Sequence, residues 1–277
     1  MASSTRKWLV GCGIGCGGAI VLSIVAPLLF GLVMMRPLNK AIEVQDQLAA
    51  EMGARDAFSP PAGVVAPERL EAFLAVRQAV MPMCPKFTKF AEDLARMDDL
   101  GKQSDQPDKG EVFRALTRVS GSVVGMAGDI GQLNQLRNEA LLARRMGLGE
   151  YTWLYVLVYH SWLGNPVPDT ADEDDGDGDG DGPRVEKLRA LVIGMMRRYA
   201  EAEAAAGHAD QATLWRTEAD RMEGAAAEIP FGAGGLPAAW AAAFEARGEE
   251  LRAAWCGPMA EFELGQVRKS GMSVHSE

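Results

Sequence analysis

The feature that most constrains this chain is an uncharged stretch from Trp8 to Met35, WLVGCGIGCGGAIVLSIVAPLLFGLVMM, bounded by Arg6 and Lys7 on one side and by Arg36 on the other. A helix needs about 20 mostly apolar residues to cross the hydrocarbon layer of a membrane, and this run is longer. Backbone amides find no partners in lipid, so such a segment must be helical. The sequence therefore predicts a single transmembrane anchor, with the remainder of the chain tethered to a membrane.

A cleaved signal peptide is the main competing reading. Its apolar region runs about 7–15 residues and ends in small residues. The present run ends in Leu32, Val33, Met34 and Met35. Leu9-Val10-Gly11-Cys12 has the form of a lipoprotein cleavage box, but only Trp8 and Leu9 precede it as apolar residues, too few for a signal core. A short basic tail before a long apolar run places the tail inside and the domain outside, although Arg36 and Lys40 make the charge bias small. Arg exceeds Lys and Ala is abundant, which fits a bacterial source. The expected location is the inner (cytoplasmic) membrane, single-pass, with a periplasmic or extracytoplasmic domain. Within the span, Gly11 and Gly15, and Gly13 and Gly17, form small-xxx-small pairs. These stand either for self-association or for the ordinary glycine content of membrane helices.

Beyond the anchor the apolar periodicity is helical. Val112, Leu116, Val119, Val123, Met126, Ile130 and Leu133 alternate steps of four and three, as in a heptad seam. Gly121, Gly125 and Gly128 accompany that seam, so either a neighbouring helix packs very close there or the helix breaks near Gly128-Asp129. Val185, Leu188, Val192, Met195 and Tyr199 repeat the pattern. The turn at Gly207-His208 then leads into Ala212, Trp215, Ala219 and Met222, a helical hairpin. Pro237 starts a last helix carrying Trp240, Phe244, Leu251 and Trp255. The predicted fold is all-α: an N-terminal transmembrane helix followed by an antiparallel helical bundle. Residues 1–36 are tail and anchor, and 37–66 a stalk and linker. Residues 67–164 are the first part of the bundle, with a polar loop at 101–110. An acidic Asp/Gly-rich linker spans 165–183, the hairpin and last helix span 184–256, and 257–277 is a tail whose end, GQVRKSGMSVHSE, reads as frayed or disordered.

The formal charge of −10 is mostly local. Arg6 and Lys7 leave −12 for the rest of the chain, and setting aside the eight acids between Asp169 and Asp181 leaves −4. No basic surface for nucleic acid is present. That acidic run contains an EF-hand-like spacing, Asp175, Asp177, Asp179 and Asp181, with Glu186 at the twelfth position. A DGDGDG repeat fits several registers, and Gly182 occupies a position that is normally apolar. The run reads as a flexible solvated linker or as a weak calcium site, and no other cofactor is expected.

Three further groups bear on chemistry. Tyr151, Tyr155, Tyr159 and Trp162 fall on one face of a helix that is apolar nearly all round, either ordinary core or a ligand face with His160 beside it. Cys84 and Cys256 are the only cysteines after the anchor, and they form a disulfide or remain two separate thiols. The three histidines, His160, His208 and His275, belong to no HExxH or similar motif, and no GxSxG, CxxC or Walker-type loop occurs. The expected function is therefore non-enzymatic: an interaction scaffold or accessory subunit at the cell envelope, acting through a protein partner or self-association. The alternative is an extracytoplasmic sensor of a ligand or divalent cation.

Overall fold

The computed structural model of the protein describes residues 39–103, 109–167, 184–224, 229–232 and 234–264. Among them the regular structure is helical and no strand occurs. The predicted anchor, with Gly11, Gly13, Gly15 and Gly17, lies outside the described residues. Among those described, no helix is long and apolar enough to cross a membrane.

Residues 39–52 form α1, and its Ala41, Val44 and Leu48, spaced by three and four, are buried. The segment predicted as a stalk thus packs into the bundle. The linker after it is held as well. Arg198 donates to the carbonyls of Phe58 at 2.8 Å and Asp56 at 3.0 Å, around a short 3-10 turn at Arg55–Ala57. Gly63 donates its amide to Glu203 Oε1 at 2.8 Å and accepts the Tyr199 hydroxyl at 2.9 Å. Loop backbone groups that would otherwise need water find fixed side-chain partners, so the described part of this stretch, 39–66, is not a free tether.

α2 (Pro67–Val80) starts on a proline whose missing N–H is no loss in the first turn. A 3-10 turn at Met81–Met83 leads into α3 (Cys84–Gln103). α3 ends and α4 (Lys109–Ala143) begins inside the stretch predicted as a loop at 101–110, of which 104–108 lie outside the described residues. α4 runs unbroken past Gly128-Asp129, and a Cβ added at Gly125 would meet nothing within 4 Å. Neither predicted reason for a glycine applies at that position. α4 closes with Arg145 in the left-handed region (φ 49), its amide bonded to Leu142 O and the Met146 amide to Leu141 O, both at 3.0 Å.

α5 (Leu148–Tyr155) continues as one π-helical stretch, Val156–Trp162, and every residue from Tyr151 to Ser161 is buried. This is the central element that its all-round apolar sequence predicts. α6 (Arg184–Ala205) and α7 (Ala209–Gly224) form the predicted hairpin. Its turn is a Schellman motif: Gly207 at φ 84, with the His208 amide on Glu203 O and the Gly207 amide on Ala204 O. The predicted last helix is split into α8 (Ala238–Glu245) and α9 (Gly248–Ala253) by a turn at Ala246-Arg247.

The predicted tail at 257–277 begins with a further helix, α10 (Gly257–Glu263), whose Met259, Ala260 and Glu263 are buried. Pro258 fixes its first turn, and Met259 and Phe262, three apart, face the bundle. A disulfide joins Cys84, at the start of α3, to Cys256, the residue that precedes α10, with Cα atoms 6.0 Å apart. One apolar cluster runs from Leu48 through the central helix to Ala254. A smaller one, including Phe87, Leu133 and Met259, lies around the disulfide.

Candidate functional site

The most unusual chemistry in the described fold is a set of charged and phenolic groups sealed inside the bundle. Arg77 lies one turn after Phe73 and three residues before Val80, so the helical period of α2 aims it at the core rather than at solvent. Neither Arg77 nor Glu263 of α10 exposes any side-chain surface, and they form an ion pair through Arg77 Nη1 and Glu263 Oε1. Removing two charges from water is tolerable only when their hydrogen bonds are met, and those of Arg77 are. Its Nε and Nη2 donate to Ala254 O at 3.0 and 2.6 Å. Tyr159 Oη lies 3.1 Å from Nε and Tyr151 Oη 3.2 Å from Nη1. The guanidinium also sits 5.3 Å and 5.1 Å from the ring centres of Tyr155 and Tyr159, a cation–π arrangement.

Tyr151 completes the set by donating its hydroxyl to Glu263 Oε1. A second buried arginine, Arg137 of α4, donates to the Glu263 carbonyl and, at 3.1 Å, to Asn138 Oδ1. Glu263 is thus gripped at both its carboxylate and its main chain. Burial lowers the Arg137 guanidinium to about 10, which still leaves it charged at neutral pH. Burial pushes the Tyr151 phenol up to about 12 and raises those of Tyr155 and Tyr159, so all three stay protonated; Tyr151 donates to Glu263 and Tyr159 to Ala254 O at 3.2 Å.

The predicted aromatic face divides. Tyr151, Tyr155 and Tyr159 stay together, with ring centres 5.9 and 4.8 Å apart, packed on Phe73 and Trp255. Trp162 does not join them. The π-helical turn shifts the register, and Trp162 packs on Phe244 with Arg252 over its ring at 5.1 Å. The three tyrosine rings are fully enclosed by protein. An open hollow of about 480 Å³ lies elsewhere, along α1, and is lined by Asn39, Ile42, Glu43 and Asp46.

His160 is buried beside Tyr155 and Trp255, and burial pushes its imidazole below the ordinary value. Its Nδ1 is 3.0 Å from Asn165 O, an acceptor only, so Nδ1 carries the proton. A second clamp stands at the hairpin turn, where Glu203 receives the Gly63 amide on Oε1 and His208 Nδ1 on Oε2 at 2.8 and 2.7 Å.

Asp175, Asp177, Asp179 and Asp181 lie outside the described residues, and Glu186 is exposed in the first turn of α6. Among the described residues no group of three or more His, Cys, Asp or Glu is placed to hold a metal ion. Comparison with known protein families, curated proteins and solved structures finds no match to this chain.

The buried ion pair escaped the sequence reading, yet it left a signal. Arg77 interrupts the apolar face Phe73, Val76, Val80, and Arg137 continues the α4 seam one turn beyond Leu133. An arginine on the inward face of an amphipathic helix calls for a buried acceptor. Glu263, in a short segment that follows Pro258, offered no such mark.

Proposed function

We propose that the chain is a single-pass membrane protein whose helical domain faces an oxidising compartment and acts by binding, as a non-enzymatic scaffold or accessory subunit at the cell envelope. The observation that carries this reading is the Cys84–Cys256 disulfide. Such bonds persist in oxidising compartments and are rare in a reducing cytosol. That side agrees with the orientation suggested by the basic tail at Arg6 and Lys7, and the uncharged run Trp8–Met35 supplies the anchor. The enclosed tyrosines favour a role as packed support over the sensor alternative.

The test is protease treatment of spheroplasts expressing the full chain with a C-terminal tag. Loss of the tag without lysis is expected. A tag that survives until the cells are lysed would place the domain on the reducing side and remove the reading. Crosslinking in native membranes addresses the binding part. A discrete larger species is expected, and monomer alone across a range of crosslinker lengths would count against a scaffold.

A further inference from the structure

We propose that the Cys84–Cys256 disulfide is a redox latch that holds α10 in its seat, and that a dithiol reductant releases this helix while the rest of the bundle stays folded. The latch rests on the disulfide and the seating of α10 and does not depend on the anchor.

Three observations converge on α10. First, the bond stands at its entrance, because Cys256 immediately precedes the helix. Cys84 is half-buried whereas Cys256 is buried, so attack falls on Cys84 Sγ. One thiolate of the dithiol bonds to Cys84 Sγ, and Cys256 leaves as a thiolate and takes a proton. The second thiol then closes the reductant's own disulfide and returns Cys84 as a thiol. Two electrons and two protons pass from the reductant to the two cysteines.

Second, α10 spans only Gly257–Glu263 and is followed by the last of the described residues, Leu264. A helix of this length lies well below the roughly 12–15 residues at which helices become even marginally stable alone. Once off its seat it has no reason to remain helical. Among the described residues its hold consists of Met259 and Ala260, the Phe262 ring against Phe87 at 5.3 Å, Glu263, and Leu264, whose carbonyl accepts Arg55 Nη1 at 3.2 Å.

Third, the seat does not collapse when Glu263 leaves. Arg77 keeps both bonds to Ala254 O and its place over the tyrosine rings, none of which belongs to α10. Glu263 regains water for both oxygens, and one of them, Oε2, has no hydrogen-bond partner among the described residues in the closed state. The pair is therefore easier to open than one in which each charge is the other's sole partner. Release exposes the seat of Glu263: Arg77 and Tyr151, which held its carboxylate, and Arg137, which held its main-chain carbonyl.

The test is amide hydrogen exchange on the full-length protein in detergent micelles, with and without dithiothreitol. Reduction is expected to speed exchange at the amides of residues 261–263 by at least about tenfold, with less than about twofold change in α6 and α7. The double variant C84S/C256S should reproduce the reduced pattern without reductant. In the oxidised protein E263Q should leave exchange in α10 within about threefold of the parent, because the covalent tie remains. Unchanged protection of α10 after reduction, verified by alkylation of both thiols, would show the bond to be a redundant staple and overturn the proposal. Parallel loss of protection in α6 and α7 would overturn it as well, since reduction would then unfold the domain.

Discussion

Arg77 of α2 and Glu263 of α10 are ion-paired with neither side chain reaching solvent, although α2 is an early helix of the chain and α10 the last among the described residues. A buried pair of this kind is costly to form and more costly to halve. E263A should destabilise the domain by about 3–5 kcal/mol, because Arg77 keeps its charge and loses its counterion. Replacing both members with apolar residues of similar volume, as in R77M/E263M, should cost less than the sum of the single changes. Urea denaturation of the four proteins closes the cycle. Additive single and double costs would mean that the two side chains do not act as a pair.

Two glycines are expected to respond in opposite directions. A Cβ at Gly149 would collide with the Phe58 side chain and stand 2.6 Å from Arg55 O, so the 3-10 turn at Arg55–Ala57 must shift to admit it. G149A should cost about 1–3 kcal/mol, in the range of overpacking. At Gly125 an added Cβ meets nothing within 4 Å, and the residue lies inside α4. G125A should gain up to about 1 kcal/mol from helix propensity alone. Thermal midpoints of the two variants against the parent decide this, and a loss at G125A would reveal a neighbour at α4.

Long periodic elements were legible in the sequence because many apolar positions vote together. The hairpin of α6 and α7 rests on Val192, Met195, Tyr199, Trp215, Ala219 and Met222, all buried as their spacing requires. The all-round apolar run from Tyr151 to Ser161 could only be central. Where one or two contacts decide the outcome, the pattern is silent. α10 is short, and its seating depends on Arg77 and Arg137, residues remote from it in sequence. The π-helical turn leaves no mark in the apolar pattern, and so helical spacing puts Trp162 on the tyrosine face although its ring packs on Phe244. The attachment of residues 54–63 depends on Arg198, Tyr199 and Glu203, which only the folded α6 presents.

Arg145 ends α4 in the left-handed region, where an L side chain crowds its own backbone and glycine does not. Only its carbonyl is engaged across the fold, accepting Arg69 Nη2 at 3.2 Å, and that bond survives any side-chain change. R145G should therefore raise stability by about 1 kcal/mol, seen as a higher urea midpoint with an unchanged slope. A lower midpoint would mean that the arginine side chain contributes more than its backbone strain removes.

Acid should destabilise the domain in two separable steps, one from His160 and one from Glu203. Burial pushes the His160 imidazole below its ordinary 6.5, so the folded chain keeps it neutral while the unfolded chain takes up a proton. As pH falls below about 6.5 the unfolded state binds more protons, and stability declines until the folded imidazole also titrates. Glu203 behaves as a depressed carboxylate. Burial works to raise it, but the Tyr199 hydroxyl, the Gly63 amide and His208 outweigh that effect and hold it below the ordinary 4.5. Its contribution is fully present above about 4.5 and is lost as pH falls through the folded value. The second step also loosens the chain around Gly63, because protonation weakens the acceptor that holds the Gly63 amide. H160Q keeps a donor within reach of Asn165 O and removes the titration, so it should flatten the upper step and leave the lower one. E203Q should shrink the lower step, to which the depressed carboxylates of Glu139 and Glu250 also contribute, and leave the upper one. Thermal midpoints of the parent and both variants, measured from about pH 8 to about pH 3, separate the two steps. An H160Q curve that follows the parent between about pH 7 and 5 would assign the upper step to another group.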